Sequence, residues 1–131
     1  MSVPPKITER QLAILKVLWA RGEATVPDVQ QALGADRRLA STTIATQLSR
    51  LEKRGVVAYR VQGRQYVYRA LLSEAAARQH ALGEVTDRHF EGDIATLVSQ
   101  LLSSREIRRG DLTRIKALIE VKERELKGRR S

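Results

Sequence analysis

A mostly α-helical fold, a winged helix-turn-helix followed by three further helices, is predicted for this 131-residue chain by three observations. Apolar residues recur at helical spacing in three short stretches between Thr8 and Arg54, each closed by a Gly. Two runs rich in β-branched and aromatic residues then flank Gln62-Gly63-Arg64, the pattern of a β-hairpin. Past Leu72 the chain has no Pro, and helical periodicity resumes three times.

The first helix starts in Thr8-Glu9-Arg10-Gln11, a capping box in which the Thr hydroxyl accepts from a first-turn amide and Gln11 reaches back to the Thr8 amide. Ile7 and Leu12 stand where a hydrophobic staple sits. Leu12, Leu15, Leu18 and Trp19 form the apolar side, and Gly22 stops the helix. Thr25 starts a second helix, with Pro27 tolerated in its first turn and Asp28 favoured at its positive end. Its apolar side is Val26, Val29 and Leu33, and Gly34 ends it. A loop over residues 35–40 carries Arg37 and Arg38.

A third helix is expected to begin at Ser41 as its cap. Ile44, Leu48 and Leu51 share one stripe. The opposite face carries Thr42, Thr46, Ser49 and Lys53, flanked by Thr43, Gln47, Arg50 and Arg54, with Gly55 as the stop. Short hydroxyls, an amide and cations are the groups that approach base edges and phosphates closely. Val56 to Val61 and Gln65 to Arg69 make the hairpin, decorated by Arg60, Arg64 and Arg69 with Arg64 at its tip. Three helices and a basic hairpin make the winged helix-turn-helix: the third helix is expected in the major groove and the wing on the DNA backbone or in the minor groove.

Charge divides with this plan. The chain holds 24 Lys and Arg against 15 Asp and Glu, a net of +9. Residues 1–72 carry 12 basic and 5 acidic side chains; residues 73–131 carry 12 and 10. The anion-seeking excess lies in the first region, and mixed signs in the second suit solvated helical faces. We therefore read residues 1–72 as a DNA-binding domain and residues 73–131 as a helical dimerisation region. In the latter, Ser73 caps one helix, Asp93 a second and Asp111 a third, and Gly-Arg-Arg-Ser at the end reads as a frayed tail. About 59 residues in three short helices make a marginal core, so their apolar faces call for a second copy of the chain, which would set two reading helices about one DNA turn apart.

Several function classes drop out. With no Cys there is no disulfide scaffold, thiolate metal site or Cys nucleophile. His80 and His89, nine residues apart, align poorly on one helix, so no metal site is expected. No phosphate-cradling Gly loop or nucleophile-base arrangement is legible, so neither a cofactor nor catalytic residues are expected. No apolar run reaches the roughly 18 residues of a membrane span and no apolar signal region opens the chain, which reads as cytoplasmic without membrane insertion.

The sequence resembles the penicillinase-repressor (BlaI/MecI-type) family of winged-helix transcriptional regulators, from about Ile7 to Leu126. Three segments carry it: Thr8 to Trp19, Thr43 to Gly55, and Gly63 to Tyr68. Phe90-Glu91-Gly92-Asp93-Ile94 also looks like the family's Gly-Asp helix start. The resemblance implies a homodimeric repressor of antibiotic-resistance operons that binds an inverted-repeat operator on double-stranded DNA. For base reading it implies Thr42, Thr43, Ala45, Thr46 and Arg50. Thr43, Thr46 and Arg50 match the family pattern, whereas Thr42 and Ala45 stand where Lys and Arg are common. It also implies relief of repression by proteolysis downstream of a membrane sensor protease, at a bond that aligns with Gln100-Leu101, an Asn-Phe bond in the staphylococcal type. The absence of Cys excludes the copper-responsive branch's Cys-rich tail.

The expected DNA-binding set is thus Thr42, Thr43, Ala45, Thr46, Ser49, Arg50 and Lys53 on the reading helix, with Arg37, Arg38, Arg60 and Arg64 on loop and wing. Leu97, Leu101, Leu112, Ile115 and Ile119 are the expected dimer contacts. Two other readings stay open: a winged-helix module that meets an acidic protein, and a ligand-responsive regulator of another winged-helix family.

Overall fold

The computed structural model describes residues 6–35 and 37–129 of the chain. The element order is α1 (Glu9–Arg21), α2 (Val26–Leu33), α3 (Ser41–Lys53), β1 (Val57–Gln62), β2 (Gln65–Ala70), α4 (Glu74–Phe90), α5 (Ile94–Leu102) and α6 (Arg109–Gly128). Among the described residues the protein is therefore mostly helical with one two-stranded antiparallel sheet.

Local chemistry sets most of the boundaries. The Thr8 hydroxyl accepts from the Gln11 N–H (3.1 Å), and the Thr8 N–H donates to Gln11 Oε1 (3.1 Å). Thr25 caps α2 in the same reciprocal way with Asp28, so Asp28 is a capping partner as well as a charge at the helix start. The Asp28 carboxyl is held below its usual range, mainly by the hydrogen bonds it receives from Thr25. The hairpin turns at Gly63 and Arg64, pairing Val57 with Ala70 through Gln62 with Gln65. Gly63 has φ 64°, the positive value that a two-residue hairpin turn needs at its first central position.

Several expectations are corrected. Ser41 is not the cap of α3: Ala40 holds that position without a side-chain bond, and Ser41 is the first helical residue. Asp111 does not open α6; the helix starts two residues earlier, and the Asp111 carboxylate accepts from the Arg108 N–H (3.0 Å). On α1 the fully buried apolar residues are Ile14, Leu15 and Leu18, while Leu12 and Trp19 are only partly covered. Gly128 still belongs to α6; the rest of the expected frayed tail, Arg130 and Ser131, lies outside the described residues.

The chain divides into two compact units, residues 1–82 and 83–131, which meet inside α4. The first unit has a continuous core. Ile14, Leu15 and Leu18 of α1, Val29 of α2 and Ile44, Leu48 and Leu51 of α3 are essentially inaccessible, and Val56, Val57 and Tyr68 of the hairpin region close it. Each such aliphatic side chain stabilises the fold by about 1.5–3 kcal/mol. The α1–α2 connection adds a short third edge to the sheet. The Ala24 N–H donates to the Tyr68 carbonyl (2.9 Å), and the Tyr68 N–H donates to the Ala24 carbonyl (2.8 Å). The Trp19 indole N–H donates to the Leu72 carbonyl (2.9 Å), fixing the exit from the wing against α1.

The second unit is built differently. Asp93 caps α5 by accepting from the Thr96 N–H (3.2 Å) and hydroxyl (2.8 Å). Yet neither α5 nor α6 has a buried residue, and within residues 83–129 only Thr86 is buried. Ile94, Leu101, Leu118, Ile119 and Leu126 are each more than half exposed.

Candidate nucleic-acid interface

The candidate surface starts from α3. Its stripe of Ile44, Leu48 and Leu51 is fully buried, which turns the polar side outward. Thr42, Ala45, Thr46, Ser49, Arg50 and Lys53 are exposed, and Thr43 is half-buried at the edge. The Thr46 hydroxyl donates to the Thr42 carbonyl (2.9 Å), so its proton is spent within the helix and its oxygen faces outward as an acceptor. The one acid of the helix, Glu52, is half-buried.

The wing has two unlike faces, because side chains alternate along each strand. Tyr59 and Val61 on β1 share a face with Tyr66 and Tyr68 on β2. Tyr59 and Tyr66 stack with ring centroids 4.3 Å apart, and Tyr68 packs against both. Burial is the main reason that the Tyr68 hydroxyl titrates above its usual range. The opposite face carries Arg60 and Arg69. Arg64 is exposed at the tip. Arg60 is engaged: its guanidinium donates to both carboxylate oxygens of Glu23 (2.8 and 3.2 Å) and to Gln62 Oε1 (2.7 Å).

The loop arginines border a groove between the start of α1, the α2–α3 loop and α3. It is lined by Arg10, Arg37, Arg38, Arg50 and Arg54 together with Glu9. Arg37 donates to the Glu9 carboxylate at 3.0 Å. Arg54 donates to the Lys6 carbonyl (3.0 Å). Sequence reasoning placed Gln47 among the exposed flanking residues of α3. The structure buries it to 9% exposure, where its Oε1 accepts from Gln11 Nε2 (3.1 Å). The capping-box signature at Thr8 fixed Gln11 locally, but no periodicity reveals a partner 36 residues away.

Thus Arg37, Arg38 and Arg50 come together on one groove, while Arg60 and Arg64 lie on the wing. Arg10, Arg54 and Gln47 complete the groove and were not singled out as site residues from the sequence. In the second unit, Leu101, Leu112 and Ile119 are exposed and Leu97 and Ile115 half-buried. Gln100 and Leu101 are in the last turn of α5. No helix among the described residues is long and apolar enough to cross a membrane.

The family model for the penicillinase repressor matches residues 7–121, spanning every element from α1 into α6. The chain belongs to the penicillinase repressor family. This family member is similar to the penicillinase repressor of Bacillus licheniformis, with 22% identity over 116 residues, covering 88% of this chain and 91% of that protein. A 16.5 kDa protein of Latilactobacillus sakei is 21% identical over 117 residues, covering 89% of this chain and 80% of that one. Among solved structures, the DNA-binding domain of the repressor BlaI superposes with a TM-score of 0.51 and 29% identity, covering 58% of this chain and 93% of that domain. The penicillinase repressor family consists of DNA-binding transcriptional regulators, and the winged helix-turn-helix described above is its DNA-binding fold.

Proposed function

We propose that this penicillinase-repressor family member is a homodimeric repressor that binds an inverted-repeat operator, reads bases with α3 and holds the backbone with its wing and loop. The observation that carries the reading is the exposed face of α3. Thr42, Ala45, Thr46, Ser49, Arg50 and Lys53 present hydroxyl oxygens and cations on a helix whose other side is locked into the core. Small side chains at Thr42 and Ala45 allow close approach to base edges, and Arg50 suits bidentate pairing with a guanine.

The second unit supports the homodimer. A helical segment with no buried apolar side chain and a surface of Val98, Leu101, Leu102, Leu112, Leu118 and Ile119 needs a partner, and the same surface on a second copy is self-complementary by symmetry. Cleavage at Gln100–Leu101, triggered through a membrane sensor protease, would separate α6 from the rest and dissolve that contact. The family resemblance favours β-lactam-resistance or related stress genes as the controlled set.

Selection of bound fragments from the source genome, then footprinting at about 150 mM salt, tests this. A protected dyad beside a promoter is the expected result, with a log–log salt slope of about −0.9 per phosphate contacted. Uniform coating of any duplex would refute base reading by α3.

A further inference from the structure

The arginine-lined groove contains one group that a merely charged surface would not. Proton logic orients it. The Thr8 N–H can only donate, so Gln11 must turn Oε1 toward it, as it does at 3.1 Å. Gln11 Nε2 is then the atom that donates to Gln47, which must answer with Oε1, at 3.1 Å. The Gln47 NH2 group is therefore left over. It carries no hydrogen bond among the described residues, on a side chain nine-tenths buried that lines the groove. Its nitrogen is not sealed from solvent, so the NH2 faces the groove as a donor that water or the oxygen of a bound anion accepts from.

We propose that this groove seats one phosphodiester of the DNA backbone, with the Gln47 amide as the inner donor and Arg38 and Arg54 around it. This assignment rests on the reading of α3 as the base-reading helix. Gln47, Arg50 and Arg54 lie on that same helix, so an anion in the groove is a neighbour of the bases that α3 meets. Among the described residues Glu9 is the one acid of the lining, and it holds Arg37 at 3.0 Å. Its side chain is 82% exposed, so the pair is weak and exchangeable, and an incoming phosphate takes Arg37 over. Gln11 is a positioning residue: through one side chain it ties the cap of α1 to the orientation of the amide on α3.

The test uses the full chain and two duplexes: the fragment recovered by genomic selection and a scrambled version of it. Gln47→Glu keeps the oxygen that Gln11 donates to and replaces the free NH2 by a carboxylate oxygen of the same shape. It is expected to weaken binding of both duplexes at least tenfold. Arg38→Ala is expected to reduce the salt slope by about 0.9 on both. In a scan of single neutral methylphosphonates, one position per half-site is expected to weaken the wild type while costing Arg38→Ala nothing further. Unchanged slope in Arg38→Ala with no such position overturns the proposal. So does wild-type affinity in a folded Gln47→Glu; if that variant does not fold, Arg38→Ala and the scan decide alone. Equal wild-type affinity for both duplexes would sink base reading by α3 separately, because the slope comparison does not depend on sequence preference.

Discussion

Arg60 of the wing grips Glu23, 37 residues upstream in the α1–α2 connection, through two guanidinium–carboxylate hydrogen bonds. The pair ties the basic face of the hairpin to the helical core at the surface. It also neutralises one wing cation. The Arg60 hydrogen bond is the main reason that the Glu23 carboxyl is held below its usual range, and Glu23 in turn raises the Arg60 guanidinium.

Releasing that cation should strengthen DNA binding. Glu23→Gln is expected to tighten binding of any duplex by a factor of roughly two to five and to steepen its salt dependence, since an exposed ion pair gives little stability in exchange. Titration of labelled duplex at several salt concentrations checks this. Weaker binding would mean that Glu23 orients Arg60 for contact instead of withholding it.

Reading and holding should separate between α3 and the wing. Arg50→Ala is expected to cut the preference for the operator over mismatched sites about tenfold, whereas Arg64→Ala should weaken all duplexes alike and lower the salt slope by about 1. Competition binding with single-base operator variants distinguishes the two patterns. Preserved preference in Arg50→Ala would move base reading to other residues of α3.

The Gln11 side chain serves two partners, so its loss should be felt in stability. Gln11→Met leaves the Thr8 N–H without its box partner and Gln47 Oε1 without its donor. The expected cost is about 1–3 kcal/mol in urea unfolding. A change below about 0.5 kcal/mol, the range of ordinary surface substitutions, would show that the link contributes little.

The exposed apolar face of the second unit should control assembly. Ile119→Lys is expected to shift the chain to monomer in sedimentation and to lower operator affinity, with the melting of the winged-helix unit unchanged. Ile119 is half exposed and makes no core of its own, so folding of residues 1–82 does not depend on it. A dimer that survives both Ile119→Lys and Leu101→Glu would place the contact elsewhere.

Acid should loosen the chain through its capping carboxylates. Asp28 and Asp93 titrate below their usual range because of the hydrogen bonds they accept from Thr25 and Thr96. A carboxyl with a lowered native pKa stabilises the fold above its unfolded value, and that stabilisation is lost as pH falls through the native one. Melting temperature is therefore expected to hold from neutrality down to about pH 5 and to fall below about pH 4. Asp28→Asn with Asp93→Asn should flatten that acid limb.

Much of the fold was legible because its signals are local. Thr8 with Gln11, Thr25 at α2, Gly63 in the turn and Asp93 before α5 act on neighbours within three residues, and the stripe of Ile44, Leu48 and Leu51 needs only helical spacing. The family likeness of Thr43 to Gly55 came the same way. Ser41 and Asp111 misled because a capping residue type one or two places inside a helix looks the same in sequence as one at its edge.

What only the tertiary structure decided lies between residues far apart in the chain. Periodicity put Gln47 at the edge of an exposed face; packing of α1 against α3 buried it and gave it Gln11. Arg60 looked like a free wing cation until folding brought Glu23 beside it. The sequence by itself determined which residues prefer helix, strand or turn and that the first region seeks anions. Which polar groups those elements spend on one another, and which remain for a ligand, followed from contacts that exist only once the chain has closed its core.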